Sequence, residues 1–125
     1  MITIITDMTD DKVFKLYWMP LLCKYREIKF IFTDTKNLKY PKMRDWSNVK
    51  FAPNSKRDKV VKYAKSEVIY LTNQYEIPTY QLMTCLREGK PNIGTLNGES
   101  FSVRKNNYKG KEPEITERYK SKEVY

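Results

Sequence analysis

Short apolar runs alternate with amphipathic segments along most of this chain, and that alternation constrains its fold more than any other feature. Runs rich in β-branched and aromatic residues cover 2–6, 27–33, 48–52, 67–71 and 92–95. The second run is nearly continuous in apolar residues, which is typical of a strand covered on both faces of a parallel sheet. The alternation predicts a single α/β domain, a Rossmann-like open parallel sheet of about five strands with helices on both faces.

Three of the intervening segments are predicted helices, because their apolar residues recur at helical spacing. The first follows a cap at Thr9 or Asp10 and contains Pro20, which should kink or shorten it. The last runs from about 79 to 88 and ends at Gly89, a left-handed stop. The residues expected to face the sheet are Val13, Leu16, Tyr17 and Leu21 in the first helix, Val60, Val61 and Ala64 in the second, and Leu82, Met83, Cys85 and Leu86 in the third.

The amino-acid composition excludes some kinds of chemistry but does not identify a function. The formal net charge of +9 fits either an anionic partner or a solvated basic surface. The chain has no histidine, so the usual general base at neutral pH and the commonest metal ligand are missing. Cys23 and Cys85 lie in apolar surroundings and are predicted to be buried free thiols.

Neither end of the chain carries a recognisable targeting or membrane signal. No segment approaches the roughly 20 apolar residues of a membrane span, and residues 1–7 lack the basic start of a secretory signal, so we expect a cytoplasmic protein. Residues 1–100 are interpreted as the folded domain. Residues 101–125 form a polar basic tail for which a short helix near 113–123 and partial disorder are the two alternatives.

A ligand site is expected beyond the carboxyl ends of the strands, where open parallel sheets bind their ligands. Segments 6–12 and 72–79 arrive there. The helix that starts near Thr79 would present free N–H groups and a positive dipole end to a phosphate. Each residue also has an ordinary interpretation: Glu76 as a partner of the helix dipole, Lys12 as a solvated lysine and Thr79 as a helix cap.

The order of several motifs is more specific than any one of them. An Asn-Val-Lys-Phe run at 48–51 precedes the segment Tyr-Ala-Lys-Ser-Glu-Val-Ile-Tyr-Leu at 63–71, and Glu76 follows. Gly89 and Pro91 come thirteen and fifteen residues after Glu76, ahead of Ile93. Over residues 1 to about 100 this pattern resembles the C-terminal, nucleotide-sugar-binding domain of retaining GT-B glycosyltransferases.

The resemblance implies roles for a small set of residues. Glu76 corresponds to the glutamate that contacts the donor sugar and would be the catalytic residue, and Lys12 corresponds to the lysine that pairs with the diphosphate. Enzymes of this kind need no metal cofactor. The backbone that would face the diphosphate belongs to Ile77, Pro78, Thr79 and Tyr80.

Two positions depart from the family pattern. Thr84 stands where a second glutamate holds the ribose, and a hydroxyl cannot accept two hydrogen bonds from a diol as a carboxylate does. Asp7 stands where the family has an arginine, and its carboxylate would repel a diphosphate. The acceptor-binding half of the family has no counterpart in 125 residues.

Three functions therefore stay open at this point. The first is a minimal glycosyltransferase that binds a nucleotide sugar and completes its cleft with a second copy or a partner protein. The second is a GT-B-like module that lacks catalysis and binds a nucleotide or a protein. The small size suggests a virus or mobile-element product, or one half of a split enzyme. The third, less favoured, is nucleic-acid binding through the basic aromatic loop at 36–46 and the basic tail. Self-association is expected from the apparently exposed aromatics Tyr40, Trp46 and Tyr108.

Overall fold

A computed structural model describes residues 1–39, 46–96 and 98–124. The chain forms one small α/β domain around a seven-stranded, mostly parallel sheet with the strand order β3-β2-β1-β4-β7-β6-β8. Its strands are β1 (Ile2–Asp7), β2 (Lys29–Thr33), β3 (Val49–Ala52), β4 (Val68–Thr72), β6 (Ile93–Thr95), β7 (Phe101–Arg104) and β8 (Glu117–Tyr119). A separate two-stranded ladder joins β5 (Glu76–Pro78) to β9 (Ser121–Glu123).

The parallel part of the sheet consists of β3, β2, β1 and β4. Strand β1 lies in the middle, where it pairs with β2 on one side and with β4 on the other. Its neighbouring side chains Ile4 and Ile5 are both fully buried but belong to two different hydrophobic clusters. Because successive side chains of a strand point to opposite faces, each face of the sheet has its own core.

The first face is covered by α1 (Asp11–Val13), a π-helical turn (Phe14–Trp18), α2 (Met19–Lys24) and α4 (Tyr80–Arg87). The Asp10 carboxylate caps α1 by accepting from the backbone N–H groups of Lys12 and Val13. In the π turn the N–H of Met19 bonds to the carbonyl of Phe14, five residues back. This wider turn directly precedes Pro20, which has no N–H to continue an α-helical ladder.

The π turn changes which side chains face the sheet. Phe14, Trp18 and Leu22 are fully buried, whereas Leu16 is 67% exposed. The prediction that Leu16 faces the core was therefore wrong, because the expected spacing assumed an uninterrupted α-helix. The inward residues predicted for α4 are confirmed: all four are buried, Thr79 caps the helix, and Gly89 has a φ of 76°.

The second face has much less helix than the first. It is covered by α3 (Arg57–Val60), a 3-10 turn (Val61–Tyr63) and non-helical chain near Tyr108 and Ile115. Val60, Val61 and Ala64 pack there as predicted. The expectation of a Rossmann-like sheet with helices on both faces is therefore only partly met, because the described residues on this face form one short α-helix and a 3-10 turn.

The C-terminal part of the chain differs most from the prediction. Strand β7 is inserted between β4 and β6 and runs antiparallel to both, so the sheet is larger than five strands and not purely parallel. Strands β8 and β9 occupy the stretch at 113–123 for which a helix was one alternative. Alternating apolar residues such as Phe101 and Val103, both buried, were the overlooked signal for β7.

Two smaller expectations also need correction. Both cysteines are free, but Cys23 is exposed and only Cys85 is buried. Trp46 and Tyr108 are half-buried and packed against the phenylalanines Phe14 and Phe101, and Tyr40 lies outside the described residues. In the part of the chain that is described, no helix has the length and apolar character needed to cross a bilayer.

Candidate functional site

An acidic pocket lies where the parallel strands end. Strand β1 ends at Asp7, Asp34 directly follows β2, and Asn73 directly follows β4. Together with residues of α3 and of the turn before β7 they enclose a pocket of about 360 Å³. We call this the carboxyl-edge pocket; its lining residues are Asp7, Asp34, Lys56, Arg57, Asp58, Asn73, Glu76, Glu99 and Ser100.

The charge of this pocket is opposite to that of the protein. Five carboxylates line it against two basic side chains, while the whole chain carries a formal charge of +9. Within the described residues, no three of these acidic groups come together as metal ligands would. A pocket of this charge attracts hydroxyl and other donor groups and repels phosphate from its acidic part.

Glu76 provides the buried carboxylate of the pocket. It is only 7% exposed, and its negative charge is stabilised by neutral donors. The side chains of Asn73 and Ser100 both donate to Oε2 at 2.8 Å, and the hydroxyl of Thr95 donates to Oε1 at 3.2 Å. These bonds fix the orientation of the carboxylate, because Glu76 can rotate only by giving up several of them.

The chain approaches this carboxylate closely at Gly98. A Cβ at that position would lie 1.5 Å from Oε1 of Glu76 and 2.7 Å from the hydroxyl oxygen of Thr95. Both distances are far below van der Waals contact, so any side chain here would have to displace the carboxylate. Glycine at position 98 therefore belongs to the construction of the pocket.

Gln74 joins the loops that follow β1 and β4. Its side-chain carbonyl accepts from the backbone N–H groups of Thr9 and Asp10 at 3.0 and 2.9 Å. Asp7 in turn accepts from the backbone N–H of Gln74 at 3.0 Å and from its side-chain amide at 3.3 Å. Asp7 thus has a structural role here, because it holds the loop that carries Glu76.

The two basic residues of the pocket come from the start of α3. Arg57 reaches across the sheet edge, and its Nη1 donates to the carbonyl of Thr72 at 2.6 Å. Lys56 is the N-cap residue and makes no side-chain cap bond. A guanidinium has five N–H donors, so the bond to Thr72 leaves Arg57 with donors to spare for a ligand anion.

Tyr70 lies beneath the pocket and is fully buried. Its hydroxyl lies beside Ser100 and Thr72. Burial raises the pKa of Tyr70 far above its ordinary value, and the negative charge of Glu76 acts in the same direction. Tyr70 therefore stays neutral at physiological pH and places a polar but uncharged hydroxyl beside the hydrogen bonds of Glu76.

The residues predicted to bind the diphosphate are not among those lining the pocket of Glu76. Lys12 is exposed at the start of α1. Ile77 and Pro78 are buried in strand β5, where they pair with Lys122 and Ser121 of β9. Their backbone is therefore covered by the C-terminal strand, and Pro78 has no N–H to offer.

The beginning of α4 is also engaged within the protein. The hydroxyl of Thr79 accepts from the N–H of Leu82 and donates to the carbonyl of Lys120 at 3.0 Å. Tyr80 is 65% exposed, with Nζ of Lys24 3.8 Å from the centre of its ring. The hydroxyl of the exposed Thr84 donates to the carbonyl of Tyr80, four residues earlier, at 2.9 Å.

No protein-family model, no curated protein and no solved structure matches the chain significantly. The site must therefore be interpreted from its own residues. Of the sequence-predicted residues, Glu76 alone lines the carboxyl-edge pocket, and the roles assigned to Lys12, Ile77, Pro78, Thr79, Tyr80 and Thr84 stay predictions.

Several residues of the pocket escaped the sequence reasoning. Asn73 belongs to the segment 72–79 that was expected at this edge but was given no role, and Asp34 could have been found because it directly follows a predicted strand. Arg57 and Ser100 gave no such signal. Ser100 reaches Glu76 only because β7 inserts beside β4, and that antiparallel insertion was not foreseen.

Proposed function

We propose that this protein binds a nucleotide sugar, with the sugar in the carboxyl-edge pocket and its hydroxyl groups donating to carboxylates there. The observation that carries the proposal is the buried carboxylate of Glu76, oriented by three neutral side-chain donors at the wall of an open pocket. A carboxylate held in one orientation at the wall of a pocket is a suitable acceptor for a sugar hydroxyl.

The strand order supports this location. The order β3-β2-β1-β4 is that of the first four strands of a doubly wound nucleotide-binding sheet. In such sheets the strand order reverses between the first and the fourth strand, and ligands bind in the crevice outside the carboxyl ends at that point. Asp7 ends β1 and Asn73 follows β4, so both lie beside this crevice.

The diphosphate requires positive charge, which the pocket has on its α3 side. Lys56 and Arg57 line it there, next to one carboxylate of the same helix, Asp58. We therefore favour a diphosphate position against these two residues over the position between Lys12 and the start of α4 that the GT-B resemblance suggests. The reason is that β9 already pairs with β5, and the carbonyl of Lys120, just before β9, accepts from the hydroxyl of Thr79 at the start of α4.

Two versions of this function differ in catalysis. In an active transferase, Glu76 would contact the donor sugar while a second copy or a partner protein supplies the acceptor side. In a binding module without catalysis, the donor would bind but not react. The exposed position of Thr84 favours the second version, because no carboxylate holds the ribose from that helix.

Isothermal titration calorimetry with uridine and guanosine diphosphate sugars, and with the corresponding diphosphates, tests the proposal. Glu76→Gln should weaken sugar-nucleotide binding by about 1–3 kcal/mol, the scale of a charged hydrogen bond, while sparing diphosphate binding. Lys56→Ala should weaken both ligands, and Lys12→Ala should change neither. If Lys12→Ala were the only variant to weaken the binding of both ligands equally, the diphosphate would be assigned to the start of α4 instead.

Absence of binding at millimolar concentrations of every ligand would contradict the proposed function. Release of free sugar from a bound donor by the wild-type protein, and its loss in Glu76→Gln, would select the active version.

A further inference from the structure

A second, differently built surface lies at the opposite edge of the sheet, where the parallel strands begin. Two adjoining pockets of about 270 and 500 Å³ share Lys65 and Ser66 in their linings. We call the combined feature the amino-edge groove. Its lining residues are Met1, Thr3, Lys29, Phe30, Ile31, Ser47, Asn48, Lys50, Tyr63, Ala64, Lys65, Ser66, Glu67, Arg104, Lys105, Asn106 and Asn107.

The groove exists because the second face of the sheet is covered by so little helix. Strand pairing places Lys50 beside Ile31, and Lys29 is two residues before Ile31 on the same face. Ile31 belongs to the core of the second face, so both lysines project from that face as well. The short α3 and the 3-10 turn after it end at Tyr63, which forms the facing wall.

Positive charge follows the groove along its whole length. Lys29 and Lys50 line the first pocket, Lys65 lies between the two, and Arg104 and Lys105 line the second. Glu67 is the single carboxylate among the described lining residues. The ion pairs recorded for the described part of the chain all lie elsewhere and involve Lys15, Arg87 and Arg118.

An exposed aromatic ring accompanies these charges. Tyr63 is 60% exposed and lines the first pocket, whose walls are mainly apolar. Nζ of Lys62 lies 5.2 Å from the centre of its ring. Basic side chains along a groove together with an exposed aromatic ring are the elements by which proteins bind the backbone and the bases of a single strand.

We propose that the amino-edge groove binds single-stranded nucleic acid, with phosphates against the lysines and a base stacked on Tyr63. The distribution of charge favours a strand over a single nucleotide, because the cations extend over two pockets and not around one. The proposal is independent of nucleotide-sugar binding at the carboxyl edge. It leaves out the loop at 36–46 and uses only the beginning of the segment interpreted as the basic tail, through Arg104 and Lys105.

Fluorescence anisotropy with a labelled oligothymidylate of about twelve nucleotides tests the proposal, since single-strand sites of this kind span roughly 4–16 nucleotides. Lys50→Glu and Lys65→Glu should each weaken binding at least about fivefold and lower the salt dependence by about one phosphate contact. Tyr63→Ala should weaken binding about fivefold or more, and Tyr63→Phe should retain it, because the ring and not the hydroxyl stacks.

Lys36→Glu is the matched control. Lys29 is the first residue of β2 and lines the groove, whereas Lys36 lies in an exposed 3-10 turn that follows the last residue of that strand. Lys36→Glu therefore makes the same change of charge at the edge of the sheet opposite the groove. Its affinity should stay within about twofold of the wild type. An equal loss in Lys36→Glu would overturn the proposal in favour of the basic loop.

Three further results would also overturn it. The first is no binding of the oligonucleotide at low salt. The second is competition by thymidine monophosphate at the same concentration as the oligonucleotide, which would indicate a mononucleotide site. The third is binding to vesicles containing anionic lipid in the absence of oligonucleotide binding, which would indicate a membrane surface.

Discussion

The two edges of the parallel sheet use their polar residues in different ways. At the carboxyl edge the side chains of Asp7, Asn73, Gln74 and Glu76 bond to one another or to neighbouring backbone, and the resulting pocket is acidic. At the amino edge the lysines around Tyr63 line a groove in which almost no acidic partner is present. The first edge holds one geometry. At the second edge Nζ of Lys105 donates to the carbonyls of Lys62 and Ala64, but the ion pairs of the described residues involve none of the groove's basic side chains, so most of their charge is available to solvent or to a ligand.

This difference has a simple origin in the chain. Loops that leave the parallel strands at the carboxyl edge are short and carry Asp, Asn and Gln, which bond readily to nearby backbone. The amino edge is lined by strand starts and by the end of a single helical turn, where lysines keep their charged ends in water. A preorganised site and an electrostatic docking surface can therefore coexist on one small sheet.

Removing Gln74 should give the largest difference between the two edges. Gln74→Ala deprives the backbone N–H groups of Thr9 and Asp10 of their acceptor and should lower the free energy of unfolding by about 2–4 kcal/mol. Lys65→Ala, an exposed change in the groove, should alter it by less than about 0.5 kcal/mol. Urea unfolding of both variants measures the contrast, and equal losses would show that the carboxyl edge is not specially ordered.

The pH dependence of stability that Tyr70 causes at alkaline pH is a second test of the order at the carboxyl edge. Its pKa is raised in the folded protein from an ordinary value of 10.0, so above pH 10 the unfolded chain loses this proton while the folded protein keeps it. The free energy of unfolding must then decrease as pH rises, and Tyr70 contributes a loss of about 1.4 kcal/mol at pH 11. Tyr70→Phe should remove that part of the decline.

Tyr75→Phe, at an exposed tyrosine of the adjoining loop, is the control for this experiment. Denaturant midpoints at pH 8 and about pH 11 give the result. At pH 8, Tyr70→Phe should change stability by less than about 1 kcal/mol, because only a neutral hydroxyl is lost. A decline at high pH that is the same in wild type and Tyr70→Phe would show that Tyr70 is not protected by burial.

The sequence predicted the parallel half of the fold well, because its signals are local. Strands β1, β2 and β4 are short apolar runs that favour no other secondary structure. The helix from Tyr80 to Arg87 is preceded by its N-cap residue, Thr79, and followed by Gly89, which ends it. The π turn before Pro20 was missed because the expected spacing assumed an uninterrupted α-helix. The alternation at Phe101 and Val103 was overlooked, and the antiparallel pairing of β7 with β4 joins distant parts of the chain, which periodicity does not predict.

The candidate site was only partly predictable for the same reason. Glu76 was selected from a motif, and the structure places it at the wall of a pocket. The donors that orient it, Thr95 and Ser100, come from nineteen and twenty-four residues further along the chain. Lys56 and Arg57 were never considered, because a basic residue at the start of a short helix is indistinguishable in sequence from a solvated one.

Residue-resolved NMR of the labelled protein tests most directly whether the carboxyl edge is the nucleotide-sugar site. Adding a nucleotide sugar should shift the backbone amide signals of Asp34, Arg57, Asn73 and Ser100, which line the acidic pocket, and leave those of Lys50 and Lys65 in the amino-edge groove unchanged. Shifts confined to the groove, or to the start of α4 around Tyr80, or no shifts at all, would contradict the assignment of sugar binding to the pocket around Glu76.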